Sequence, residues 1–256
     1  MRFYKAKILF LLAAACLLLT ACQSPADSSS SSTSSVSSET SSQATPTPEA
    51  TATPAPTEEP SSSETKSENT DNSCFENSAF VGNSMLEDLD MYGIIDNADF
   101  YAKTGLTVTN VFTETTVDGT APIMEEVTSK KYDKVFLMFG LNELGWSYSD
   151  VFVEDYAKII DTLRESNPDV EIYVQSLFPV SKERSDKNLY GVTNEKIEEY
   201  NELLKTMAKE KNVTYVDVHA SMVTEDGTLP DGASPDGVHP NMDYCKTWVQ
   251  YLRDHC

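Results

Sequence analysis

From residue 73 onward, short apolar runs alternate with longer stretches of helical periodicity. The runs at 79–81, 99–102, 134–139, 171–176 and 214–218 have the length and the β-branched or aromatic content of strands buried on both faces. Between them Val153, Tyr156, Ile159, Ile160 and Leu163 recur at helical spacing, as do Ile197, Leu204 and Met207, and a last helix is expected from Asn241 to about Leu252. Strand, helix, strand repeated in this way predicts an α/β domain, a parallel sheet with helices covering both sides. In such sheets the loops at the carboxyl ends of the strands form the ligand crevice, so chemistry is expected there.

Ahead of residue 73 the pattern changes. Residues 1–21 combine Arg2, Lys5 and Lys7 with an apolar run from Ile8 to Leu19 and the small residues Thr20 and Ala21. This predicts a cleaved signal peptide, not a spanning helix. Leu19-Thr20-Ala21-Cys22 resembles the lipobox of bacterial lipoproteins, which implies lipidation of Cys22 and a new N-terminus there. Half of residues 23–72 are Ser or Thr, six are Pro and none is aromatic, too little apolar surface to order a chain. Residues 22–72 are therefore expected to be a lipidated cysteine and a disordered tether, and 73–256 one domain. Acyl chains contribute ~0.8 kcal/mol per buried methylene, and the tether reaches roughly 40 Å. The expected location is the outer face of a bacterial membrane, with the domain extracellular, or periplasmic in a host with two membranes.

Charge and cysteine usage narrow the partners. The net charge of −22 becomes −25 without the three cations of the leader. A polyanion would be repelled, and no basic patch with interleaved aromatics is present, so nucleic acid is not an expected partner. With Cys16 in the signal and Cys22 taken by lipid, Cys74, Cys245 and Cys256 remain in an exported domain. A bridge between Cys74 and Cys256, Cys245 paired with either, and three free thiols all stay open. There is no Cys-x-x-Cys spacing to suggest zinc or redox chemistry, and no cofactor is expected.

Several chemistry-bearing residues fall at predicted strand ends. Ser84, in Gly82-Asn83-Ser84-Met85, sits at a strand-to-helix turn, where Ser84 and Glu87 also match a capping box. Gly105 ends the second strand with its N–H unobstructed by a side chain, and Asn142, in Gly140-Leu141-Asn142-Glu143, offers an amide after the third. His239 lies three positions after Asp236, a spacing that lets the carboxylate accept from Nδ1–H while Nε2 faces Ser84. Asp217 and His219 raise a rival reading in which they bind zinc with Asp236 and His239. The triad account already uses the second pair, so no metal site is expected.

Taken together, these four blocks resemble the SGNH hydrolases, the GDSL-like esterase and lipase family, across 73–256. The resemblance implies a three-layer α/β/α, flavodoxin-like sandwich with a central, mostly parallel five-stranded sheet. It implies Ser84 as nucleophile, His239 as general base and then acid, and Asp236 as the orienting carboxylate. The oxyanion hole would be the Ser84 and Gly105 N–H groups with the Asn142 amide. Two positions depart from the family pattern: Asn83 stands for the usual Asp before the nucleophile, and Glu143 for the usual Asp after Asn142.

An acyl-enzyme mechanism calls for an ester. The domain has no long apolar segment that reads as a lid or acyl groove, and the outward tether and negative charge favour short acyl groups, such as acetyl, on carbohydrate. Trp146 and Tyr148, which follow Asn142 closely, and Phe178 at the end of the fourth strand are the candidate substrate contacts. The alternatives are a glycan-binding lipoprotein that keeps the fold without turnover, for which Asn83 is the sequence feature, and a lysophospholipase or lipase of the same family.

Overall fold

The computed structural model describes residues 71–256. The signal segment, Cys22 and nearly all of the tether lie outside the described residues. Five strands form one parallel sheet: β1 (Ser78–Gly82), β2 (Ala98–Ala102), β3 (Lys134–Met138), β4 (Glu171–Gln175) and β5 (Thr214–Val216), in the order β2-β1-β3-β4-β5. The helices are α1 (Ser84–Tyr92), α2 (Ile123–Thr128), α3 (Ser149–Ser166), α4 (Lys182–Lys187), α5 (Asn194–Lys211) and α6 (Met242–Arg253). α1 packs with α6, whereas α3 packs with both α2 and α5. Right-handed crossovers from this strand order require those two groups on opposite faces.

The central strands are legible in burial. β1 and nearly all of β3 and β4 are buried, as their apolar runs predict. The two edge strands correct the expectation of burial on both faces, because β2 and β5 are only partly covered. The fifth run also stops short at Val216, where the chain passes through Asp217 into a 3₁₀ turn, Val218–Ser221. Across the sheet Phe100, Phe80, Phe136 and Tyr173 stand at paired positions, with successive ring centroids 4.9, 4.6 and 4.7 Å apart. Such stacked aromatics are a main source of buried apolar area. Cys74 is bonded to Cys256, tying the start of the domain to its end, while Cys245 is a buried free thiol.

Strand order places the chemistry. The chain leaves β1 toward β2 and later returns to β3 on the other side, so β1 and β3 flank the point where the order reverses. At that point loops diverge and leave a crevice at the carboxyl ends. Gly82 ends β1 against the end of β3, where a Cβ would sit 2.3 Å from the Met138 carbonyl oxygen. Only glycine allows this approach.

Candidate active site

The turn from β1 into α1 fixes Ser84. Asn83 is fully buried and is the N-cap of α1, its Oδ1 accepting from Met85 N–H at 3.1 Å. Capping by a side-chain oxygen is what an Asp at this place would also supply. The capping-box expectation is thereby corrected: Ser84 is the first helical residue. Glu87 Oε2 instead accepts from the Thr104 N–H and hydroxyl at 2.7 and 2.6 Å. Glu87 so ties α1 to the loop that carries Gly105. As the first residue of a helix, Ser84 has an N–H with no intrahelical acceptor.

The loop after β5 brings the other end of the chain to the same place. His239 Nε2 lies 2.8 Å from Ser84 Oγ, and its Nδ1 lies 2.7 Å from Asp236 Oδ2. Asp236 Oδ1 also accepts from Ser234 Oγ, Val238 N–H and His239 N–H at 2.9, 2.9 and 2.8 Å. Partial burial raises the Asp236 pKa, but hydrogen bonds from the His239 ring and backbone, Val238 and Ser234 outweigh it and hold the carboxyl below its usual range. The aspartate is therefore a fixed anion beside the imidazole.

The segments after β2 and β3 are joined to each other. Gly105 has φ +79°, the left-handed region that favours glycine. Asn142 Nδ2 donates one hydrogen to the Leu106 carbonyl at 2.8 Å, leaving its second N–H for another acceptor. Glu143, fully buried, accepts from Val108 N–H at 2.8 Å and Gly140 N–H at 3.0 Å. Burial pushes its carboxyl pKa up to about 7 against the pull of these donors. One carboxylate thus clamps the Gly105 and Asn142 segments together.

Ser84, Gly105, Asn142, Asp236 and His239 line a single open cleft of about 490 Å³. A hydroxyl, a base able to take its proton and amide donors around one cavity are the parts needed for acyl transfer. Residues 86–243 match the GDSL-like Lipase/Acylhydrolase family. The chain belongs to that family.

Among solved structures, this hydrolase-family chain resembles a protein from Streptococcus pneumonia named for a platelet activating factor, with 22% identity and a TM-score of 0.58. That match covers 70% of this chain and 83% of the other. It also resembles a GDSL-like lipase from Bacteroides thetaiotaomicron, with 14% identity, a TM-score of 0.52 and coverage of 72% and 92%. A member of the lipolytic G-D-S-L family from Veillonella parvula matches with 16% identity, a TM-score of 0.50 and coverage of 70% and 96%. At these identities the likeness establishes the shared fold. No curated protein matches the chain.

Not every expected residue of this GDSL-family domain reaches the cleft. Phe178 is 2% exposed and packs edge-on against Trp248 at 4.9 Å, so the expectation that it contacts substrate is corrected. Trp146 packs part-buried on the core and Tyr148 is 70% exposed, and neither lines the cleft. Tyr190 and Arg184 line it instead. His219 lies with Nε2 3.3 Å from Glu198 Oε1, its N–H donates to Ser176 Oγ, and Asp217 accepts from that same hydroxyl. Among the described residues, no group of three or more His, Cys, Asp or Glu side chains is arranged to hold a metal ion. Likewise, no helix among them is long and apolar enough to cross a membrane.

Proposed function

We propose that the protein is a cell-surface serine esterase that hydrolyses carboxylic esters through an acyl-enzyme on Ser84, with short acyl groups, acetyl above all, on carbohydrate as its substrates. The observation that carries the reading is the continuous contact from Ser84 Oγ to His239 Nε2 and from His239 Nδ1 to Asp236 Oδ2, at 2.8 and 2.7 Å. His239 takes the Ser84 proton as Oγ attacks the ester carbonyl, and Asp236 stabilises the imidazolium that forms. The Ser84 and Gly105 N–H groups and the free N–H of Asn142 receive the developing oxyanion. Donors of this kind are worth about two to three powers of ten each. Collapse of the tetrahedral species expels the alcohol with the proton from His239, and water repeats the sequence to release the acid.

Asn83 supports turnover more than it opposes it, because its buried oxygen does the capping and no triad or oxyanion group is lost. The short-acyl preference is supported by the charge of the chain, which disfavours an anionic lipid surface. Lipid on Cys22 would hold the domain at the membrane, and Cys22→Ser should release it into the medium.

The test is fluorophosphonate labelling. A covalent adduct that maps to Ser84 and vanishes in Ser84→Ala is expected, together with acetate release from acetylated xylan or peptidoglycan. Glycan affinity with neither adduct nor turnover would favour the non-catalytic binder. Preference for acyl chains of about twelve carbons or more would overturn the substrate class.

A further inference from the structure

The turn Leu189–Gly191 carries the most unusual backbone bordering the cleft. Tyr190 adopts φ +61°, a region that a bulky side chain rarely enters. Such a conformation is costly and persists only where the surroundings over-determine it. Tyr190 is nonetheless 86% exposed, so burial of its own surface does not compensate the strain. What over-determines it is contact on two flanks, backbone against backbone on one and a side-chain hydrogen bond on the other.

One flank is the segment that follows Asn142. A Cβ on Gly145 would lie 2.6 Å from the Tyr190 carbonyl oxygen, and one on Gly191 would lie 2.9 Å from both the Leu144 carbonyl oxygen and Gly145 Cα. The two glycines let the two backbones touch. The other flank is α4. Arg184 Nη2 donates to the Leu189 carbonyl at 3.2 Å, and α4 abuts the Asp236–His239 loop, where Ser181 N–H donates to the Gly237 carbonyl at 2.8 Å and a Cβ on Gly237 would lie 2.4 Å from Ser181 Oγ. The turn therefore bridges the Asn142 side and the His239 side, with Tyr190 lining the cleft that holds Ser84.

We infer that Tyr190 is a stacking platform for the pyranose ring whose ester is presented to Ser84, a subsite for the alcohol part of the substrate. The substrate class rests on the esterase reading above; the platform rests on an exposed aromatic residue that a strained, braced turn holds at the cleft. A pyranose offers a flat face of C–H bonds that packs on an aromatic face while its hydroxyls stay in water, and a tyrosine supplies that face with only two rotatable side-chain angles to order. The cleft's carboxylate, Asp236, is already paired with His239, so it adds no unpaired negative charge to the site.

The experiment measures affinity without turnover. In a Ser84→Ala background, calorimetric titration with acetylated xylotetraose and with an O-acetylated muramyl disaccharide gives the reference. Tyr190→Gly removes the ring and also relieves the strained φ, so the turn keeps its conformation, and it should weaken the better ligand by about tenfold or more. Tyr190→Trp should retain affinity within about threefold. Equal affinity with and without the Tyr190→Gly substitution, loss in the Trp variant as large as in the Gly variant, or no binding of either sugar would overturn the platform. Hydrolysis of ethyl acetate by the unaltered protein is the separate check on the esterase reading. Its absence would defeat that reading while the affinity result stood on its own.

Discussion

Two carboxylates serve the two sides of the cleft, and their surroundings give them opposite characters. Asp236 keeps a side chain about half exposed, at 51%, and receives four hydrogen bonds, so it remains ionised well below the ordinary carboxylate range. Glu143 is sealed in the protein with two backbone donors, and burial raises it to about 7. A carboxylate that must steady a transient imidazolium needs a permanent charge and can stay near water. One that must hold two loops needs a fixed position, and the same burial that fixes it penalises its charge. Environment, more than residue type, decides which role a carboxyl can fill.

The largest effect should come from removing the charge on the His239 side. Asp236→Asn keeps an oxygen to accept from the Val238 and His239 N–H groups, so the fold should be retained and only the stability that the ionised carboxylate contributes at neutral pH should be lost. It leaves the imidazole in the wrong tautomer, and kcat/KM should fall by about 10³–10⁴. Steady-state kinetics with thermal melting alongside reads both. A loss smaller than about tenfold would remove Asp236 from the mechanism.

Next in size is the Glu143 side, where the expected damage is to structure first. Glu143→Ala leaves the Val108 and Gly140 N–H groups buried without their acceptor and opens a cavity, at a cost of about 4 kcal/mol by denaturant unfolding. With the Gly105 and Asn142 segments no longer clamped, kcat should fall by about tenfold, with KM less affected. Unchanged stability would mean that water replaces the carboxylate freely and that the clamp has no role.

The contrast between these sides was only partly legible in the sequence. Ser84, Gly105 and Asn142 could be placed on one edge of the sheet because the first three strands are apolar runs that give way to a glycine or polar turn, while the Asp236–His239 pair was legible only from its three-residue spacing. Glu143 could not be read as buried, since a carboxylate in sequence implies water. Its position shows only once Val108 and Gly140 are seen to converge on it. α4 has no buried residue and so leaves no apolar periodicity in the sequence, and the turn it braces is no more legible. Phe178 misled for the opposite reason: a strand-end position suggested the crevice, but its ring turns into the core against Trp248. The partial exposure of the edge strands is not legible, because an apolar run does not reveal whether a neighbour lies beyond it.

A third way to sharpen the comparison is the pH dependence of stability. Glu143 has a folded pKa raised from 4.5 to about 7, so its contribution is fully present below the unfolded value and is lost as pH rises through the folded one. Between those pH values stability should fall by up to about 3 kcal/mol from this group. Asp236 has the opposite sign: its depressed folded pKa gives stability that is present above the ordinary range and lost as pH falls through the folded value. Glu143→Gln should flatten the slope between pH 4.5 and about 7 while leaving the acid limb that Asp236 produces. A slope unchanged by that substitution would show that Glu143 does not titrate in this window.

The smallest expected effect tests whether the clamp depends on the length of the side chain or only on its charge. Glu143→Asp restores the residue usual at this place in the family but shortens the reach by one methylene in a protein whose loops are spaced for Glu. It should then hold one of the two N–H groups, at Val108 or Gly140, and leave a void of about one methylene, costing about 1 kcal/mol and lowering Tm by about 2–4 °C. Because the site stays buried, the stability slope toward neutral pH should survive, and kcat should drop by less than about threefold. A loss equal to that of the Ala variant would show that simultaneous contact with both N–H groups is what positions the amide donors. A loss near zero would show that one acceptor suffices and that the second bond is made only because the loop spacing allows it.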